Sequence, residues 1–181
     1  MAVDESGTDA ALPGLLAVDH VGLAVPDLDA AIAFHTEVLG LVLLHREENA
    51  DADVAEAMMG TAEGVAGTQV QLLAPVSPES PIARFLERSG PGLQQLAYRV
   101  ADVEEAASAL RSRGLRLLYD APRTGTRGSL INFVHPHDTG GVLIELVQPA
   151  PHPPAPSRRG HPDDPDGQQP PSRGKHERNA T

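Results

Sequence analysis

The chain has 181 residues, a formal net charge of −11 and no cysteine. This length holds one domain or two small modules that share a core. The lack of cysteine excludes disulfides, thiolate nucleophiles and cysteine-ligated zinc. Aromatic residues make up only 3% of the chain and basic residues are few, so we expect no nucleic-acid partner. No apolar run approaches the roughly 18 residues of a membrane-spanning helix, and we expect a cytoplasmic protein without membrane contact.

Both ends of the chain have the composition of disordered segments. Residues 1–14 are acidic and lack a long apolar run, and residues 151–181 are rich in proline, glycine and charge. Such segments have almost nothing to bury, so their chain entropy is not offset by packing. We therefore expect one folded domain over residues 15–150.

An internal repeat divides this domain into two similar modules. The segment DHVGLAVPDLDAAIAFHTEVLGLVLL aligns with QQLAYRVADVEEAASALRSRGLRLLY, and the alignment pairs His20 with Gln95. One deletion later, VQLLAP aligns with IELVQP near the ends of the two copies. The repeat predicts modules over about residues 15–76 and 92–150.

Each module is predicted to form one strand, one helix and then three strands. In the first strand, Val21 and Leu23 alternate with His20 and Gly22, the period of two that is typical of a strand with one buried face. Asp27 and Asp102 stand at the N-cap positions of the two helices. Ser80, followed by proline, predicts a linking helix over about 80–89. The further strands are predicted over about 41–47, 54–59 and 68–74, and over about 115–119, 129–134 and 142–147.

The predicted architecture is α+β, with two βαβββ modules forming a paired, cup-shaped mixed β-sheet that carries its helices outside. Strand parity places four polar residues on the inner face: His20, Gln71, Gln95 and Glu145. A buried carboxylate without a partner costs several kcal/mol, so Glu145 needs a cation or another strong partner. Pairing of the modules about a pseudo-twofold axis would bring the four together as a site suited to a divalent ion. The alternative is a buried salt bridge at Glu145, with His20 as a hydrogen-bonded strand histidine.

Five stretches of the chain match a known family, and together they cover almost all of residues 17–149. They are DHVGLAVPDLDAAIAFHTEVLG, HREENADADVAEAMM, TQVQLLAPVSPESPIARFLERSGPGL, RGLRLLYDAPRTGTRGSLINFVHP and GGVLIELVQP. With these motifs the chain resembles the vicinal-oxygen-chelate (glyoxalase/bleomycin resistance/dioxygenase) superfamily and, within it, the methylmalonyl-CoA epimerase family. The linker and the loop LLYDAPRTGTRGS are similar to the epimerases rather than to glyoxalases or dioxygenases.

The resemblance implies a homodimeric isomerase that interconverts the C2 epimers of methylmalonyl-CoA or a close α-substituted malonyl thioester. It implies a divalent metal, which could be cobalt, manganese, zinc or magnesium, held by His20, Gln71, Gln95 and Glu145. It also implies that Glu56 and Glu145 are the two bases that remove and return the proton. From the residues alone, Glu56 in VAEAMM could equally be a solvated strand residue.

One ligand position departs from the family pattern. The family has GLHH after the linker, whereas this chain has GLQQ, which places Gln95 at the third ligand position. A neutral amide oxygen is a harder ligand than imidazole, so we expect lower affinity for zinc or cobalt, while manganese or magnesium could still be held. Two alternatives follow from this departure: a metal-free small-molecule-binding protein of the same fold, or a diverged enzyme with another substrate.

Overall fold

A computed structural model describes residues 11–62 and 67–150 of the chain. Most of the two segments predicted to be disordered lies outside these residues. The described part contains eight strands and three α-helices. The strands are β1 (Leu15–Ala24), β2 (Val42–Asn49), β3 (Val54–Gly60), β4 (Gln69–Pro75), β5 (Gly92–Val100), β6 (Arg123–Thr124), β7 (Leu130–Val134) and β8 (Leu143–Gln148), and the helices are α1 (Leu28–Glu37), α2 (Pro81–Ser89) and α3 (Val103–Ser112).

All eight strands form one mixed sheet in the order β2-β3-β4-β1-β5-β8-β7-β6. Within each module the first strand pairs in parallel with the last, β1 with β4 and β5 with β8. The two modules meet where β1 and β5 pair antiparallel, which is the arrangement that a pseudo-twofold axis produces. The predicted architecture of two paired βαβββ modules is therefore confirmed.

One predicted strand is absent. Residues 115–119 form only an isolated bridge, between Leu117 and Val134, and the second strand of this module is instead the two-residue β6. The reason lies in the side chain of Asn132. Its Nδ2 donates to the carbonyl of Tyr119 at 3.0 Å and its Oδ1 accepts from the Tyr119 amide at 3.3 Å. A side chain thus takes the backbone groups that a ladder would have used.

The helices begin where the sequence predicts them. The carboxylate of Asp27 accepts a hydrogen bond from the amide of Ala30, and that of Asp102 accepts from the amides of Glu104 and Glu105. Each N-cap satisfies amides that have no partner inside the helix. No helix among residues 11–62 and 67–150 is long and apolar enough to cross a membrane.

The helix-covered face of the sheet forms the main hydrophobic core. In the first module it contains Leu28, Ala57, Met59, Leu72 and Ala74, and in the second Val100, Val103, Ala106, Ala107 and Leu146. Helix α2 packs on the opposite, inner face, where Ile82 contacts Ala24, Val54 and Leu73. The linking helix therefore closes one end of the cup, and polar residues line the rest of its inner face.

Candidate active site

Four central strands each contribute one polar side chain to the inner face. His20 lies on β1, Gln71 on β4, Gln95 on β5 and Glu145 on β8, and these strands are neighbours in the sheet. The four residues are only 3–6% exposed. Because they lie side by side on one face, their side chains point to a common region, as strand parity predicts.

Direct contacts join the four side chains. His20 Nε2 lies 3.1 Å from Glu145 Oε2. The side-chain nitrogen of Gln95 donates to Glu145 Oε2 at 2.5 Å and to Gln71 Oε1 at 3.0 Å. Glu145 therefore has both an imidazole and an amide as partners, so the buried salt bridge that the sequence left as an alternative is present within the converged set. The roles of the four as metal ligands stay predictions.

Outer partners orient His20. Its Nδ1 lies 3.0 Å from Asp19 Oδ1, and the other oxygen of Asp19 accepts from Arg99 Nε at 2.6 Å. Burial lowers the pKa of His20, but the hydrogen bonds with Asp19 and Glu145, and the charges of both carboxylates, raise it to about 9. Burial raises the pKa of Asp19, whereas its bonds with His20 and Arg99 hold it below its usual value.

The second predicted base, Glu56, joins the same network from β3. Its Oε2 accepts from Gln71 Nε2 at 2.7 Å, and its Oε1 accepts from the Thr126 hydroxyl at 2.8 Å. Glu56 is 5% exposed, which excludes the alternative of a solvated strand residue. Thr126 belongs to the loop between β6 and β7, far from β3 in strand order, so the sheet must curl for the two to touch.

A second carboxylate faces Glu56. Glu47 on β2 is its direct partner across the β2–β3 pair. Burial, and then the hydrogen bond and charge of Glu47, raise the pKa of Glu56 to about 7, while the bond with Thr126 lowers it. Burial raises the pKa of Glu47, but its hydrogen bonds with Glu56 and with His45, whose Nε2 lies 2.5 Å away, hold it below its usual value.

The sequence patterns do not indicate four residues of this network, Asp19, Arg99, Glu47 and Thr126. The register of the β2–β3 hairpin could have placed Glu47 opposite Glu56, since the two face each other in an antiparallel pair. No sequence signal indicates Thr126, because its position depends on how the sheet curls.

A cavity of about 380 Å³ lies beside this end of the site. Glu47, Glu48 and Asp51 line it, together with Thr124, Gly125 and Gly128. The cavity borders the Glu47–Glu56 pair rather than the four converged side chains. Its three carboxylates make it unsuited to phosphate groups.

The donor set fits a divalent cation at three of its four positions. His20 Nε2, Gln71 Oε1 and Glu145 Oε2 all face the same point, and they are ligand types that manganese, magnesium, cobalt or zinc accept. Gln95 presents its nitrogen there and would have to rotate its amide to offer oxygen. Two of the four donors are amides. The part of the chain that the structure describes contains no group of three histidine, cysteine, aspartate or glutamate side chains that could hold a metal ion.

Comparisons with known proteins identify the family of the chain. Residues 19–133 match the model of the glyoxalase/bleomycin resistance protein/dioxygenase superfamily. The chain is 35% identical to the ethylmalonyl-CoA/methylmalonyl-CoA epimerase of Cereibacter sphaeroides, over 72% of this chain and 96% of that protein.

Solved structures give the same result. A methylmalonyl-CoA epimerase from Mycobacterium tuberculosis superimposes with a TM-score of 0.73 at 49% identity, covering 78% of this chain and 93% of the other. A methylmalonyl-CoA epimerase in complex with methylmalonyl-CoA and NH4+ superimposes with a TM-score of 0.71 at 41% identity, covering 75% and 96%. The chain therefore belongs to the methylmalonyl-CoA epimerase family of the glyoxalase/bleomycin resistance protein/dioxygenase superfamily.

Proposed function

We propose that this chain interconverts the two C2 epimers of methylmalonyl-CoA by a 1,1-proton transfer. The observation that carries the proposal is the position of two buried carboxylates on one inner face. Glu56 comes from the first module and Glu145 from the second, with Gln71 and Gln95 between them. Relatives of the same family that are named as methylmalonyl-CoA epimerases, one of them solved with methylmalonyl-CoA, support this substrate.

Two carboxylates suffice for the proton chemistry. One carboxylate takes the C2 proton, and the C–H electron pair moves into the thioester to give an enolate. The other carboxyl group, in its protonated form, gives its proton to C2 from the opposite face and is left as a carboxylate. The pKa of Glu56, at about 7, is close to the value that suits a group which must both accept and release a proton near neutral pH. Burial of both residues keeps bulk water from the reacting carbon.

The surrounding residues would position these groups and hold a metal. Asp19 fixes the His20 ring, and Thr126 fixes the Glu56 carboxylate. A divalent metal, with cobalt, manganese, zinc and magnesium as candidates, would be held by His20, Gln71 and Glu145, and by the oxygen of Gln95 once that amide has turned. It would supply a Lewis acid for the substrate's oxygens. A homodimer is part of the proposal, and light scattering in solution tests it.

Solvent-exchange measurements test the proposed reaction. The purified chain is incubated with methylmalonyl-CoA in D2O, with and without added cobalt or manganese, and deuterium at C2 is followed by mass spectrometry. We expect uptake at C2 with equilibration of the epimers. Glu145→Gln should slow the exchange by about 10²- to 10⁴-fold, the usual share of general acid–base catalysis.

The matched control is Glu48→Gln, because Glu48 is an exposed glutamate on β2 that neighbours Glu47 but alternates to the other face. It should exchange at the wild-type rate. Full exchange activity in Glu145→Gln would contradict the mechanism.

A second candidate is a binding protein without turnover, which the nitrogen-inward Gln95 favours because that arrangement offers one ligand fewer to a metal. Calorimetric binding of methylmalonyl-CoA without any C2 exchange would support this candidate instead.

A further inference from the structure

The side-chain nitrogen of Gln95 lies in the middle of the converged side chains. It is 2.5 Å from Glu145 Oε2, 3.0 Å from Gln71 Oε1 and 3.4 Å from His20 Nε2. A point within reach of an imidazole nitrogen, an amide oxygen and a carboxylate oxygen is where a cation shared by these groups would lie. In this chain a neutral –NH2 group takes that place.

The hydrogen bonds of the neighbours determine which way the Gln95 amide faces. Gln71 donates through its own nitrogen to Glu56 at 2.7 Å and to Thr126 at 3.2 Å, so its oxygen must face Gln95. Glu145 presents a carboxylate oxygen. A reversed Gln95 amide would place its oxygen against two other oxygens in a buried site, which is repulsive.

Backbone packing holds the Gln95 stem in this position. Gly22 lies directly opposite Gln95 across the β1–β5 pair. A Cβ at residue 22 would be 2.4 Å from Gln95 Cγ, so the side chain lies over space that only glycine leaves free. Gln95 is 6% exposed, so its amide is shielded from bulk water.

We propose that the Gln95 carboxamide is a built-in substitute for the divalent cation: its two N–H groups tie Glu145 and Gln71 together, assemble the site without metal and keep its metal affinity low. An entering cation must turn the amide and break both hydrogen bonds, one of which is to a carboxylate. The proposal goes beyond the epimerase activity and does not depend on the substrate.

Metal titration of the full chain tests the proposal. After treatment with a chelator and dialysis, Co²⁺ is titrated by calorimetry into the wild type, Gln95→His and Gln94→His. Gln94 is the matched control, because it is the preceding residue of the same strand and points to the other face. Changes in an outer shell alone alter metal affinity about 10- to 100-fold, so restoring an imidazole ligand in Gln95→His should tighten Co²⁺ binding at least about tenfold. Gln94→His should match the wild type.

The proposal would be overturned if the wild type bound Co²⁺ as tightly as Gln95→His does. It would also be overturned if Gln94→His gained as much Co²⁺ affinity as Gln95→His. A second measurement is made on the metal-free wild type, with Gln95→Met used only to assign the NMR signal. In the metal-free wild type, NMR should show one side-chain NH2 pair that is strongly protected from hydrogen exchange. The signal of this pair should be absent when Gln95 is replaced by Met. The chelator should leave the Tm of the wild type unchanged. An unprotected Gln95 amide, or a Tm that falls on chelation, would also refute it. None of these experiments uses acyl-CoA, so their outcome is separate from that of the C2 exchange test.

Discussion

The amide of Gln95 donates to Gln71 Oε1 at 3.0 Å, and this contact joins the two predicted bases. The side-chain nitrogen of Gln71 in turn donates to Glu56 at 2.7 Å, and that of Gln95 also donates to Glu145 at 2.5 Å. Each carboxylate thus stands at one end of a chain of two amides. A change at either amide should affect both carboxylates, because hydrogen bonds in a buried network are coupled.

Gly22→Ala should disrupt this chain at Gln95. The added Cβ would lie 2.4 Å from Gln95 Cγ, and overpacking of this kind typically lowers the free energy of unfolding by about 1–3 kcal/mol. Urea denaturation measures the loss. In a Gln95→Ala background the clash disappears, so the same Gly22→Ala change should cost much less. Equal costs in both backgrounds would show that the two residues do not interact.

Thr126 should act as a positioning residue for Glu56. Its hydroxyl donates to Glu56 at 2.8 Å and lowers the pKa of that carboxyl. Thr126→Val removes the bond, so we expect a roughly 10- to 100-fold slower C2 exchange and a Glu56 pKa above about 7. Thr126→Ser keeps the hydroxyl and should restore both the rate and the pH profile. If valine and serine behave alike, the hydroxyl has no role.

Asp19→Asn should lower the pKa of His20. The hydrogen bond and the charge of Asp19 help to raise this pKa to about 9, so a neutral amide at position 19 should bring it down toward the ordinary histidine value. NMR titration of the His20 ring nitrogens measures the shift. Asp29→Asn, which alters an exposed aspartate on α1 that pairs with Arg46, should leave the His20 titration unchanged.

The free energy of unfolding should fall as the pH rises from about 4.5 to about 7, in part because of Glu56. Its carboxyl binds a proton more tightly in the folded chain, where the pKa is about 7, than in the unfolded chain, where it has the ordinary value of 4.5. The contribution of Glu56 to the free energy of unfolding is therefore complete at pH values below its pKa in the unfolded chain. It is lost as the pH rises past its pKa in the folded chain. At 1.36 kcal/mol per pKa unit the loss is on the order of 3 kcal/mol.

Urea denaturation at pH 5 and pH 8 checks this effect. Glu56→Gln should lose less stability between the two pH values than the wild type, whereas Glu48→Gln should lose as much as the wild type. His20 contributes equally to the pH dependence of the free energy of unfolding in all three proteins, so its contribution cancels in the comparison. The idea fails if the pH dependence of Glu56→Gln matches that of the wild type.

The sequence by itself determined the repeat, the strand parity and the helix starts. Alternation along β1 and β5 places His20 and Gln95 on the inner face, because side chains on a strand change face at every residue. Aspartate at positions 27 and 102 determines where α1 and α3 begin, because its carboxylate accepts from free amides of the first turn. These are local effects that a sequence pattern reports directly.

Only the tertiary structure decided which side chains of the site contact one another. Residues 115–119 were wrongly predicted as a strand because the side chain of Asn132, which lies 13 residues along the chain, takes the backbone groups of Tyr119. Thr126 reaches Glu56 only because the sheet curls. The inward direction of the Gln95 nitrogen depends on the acceptors around it and on the space above Gly22. A strand pattern indicates which face of the sheet a side chain occupies. It does not indicate which atom of that side chain contacts which partner.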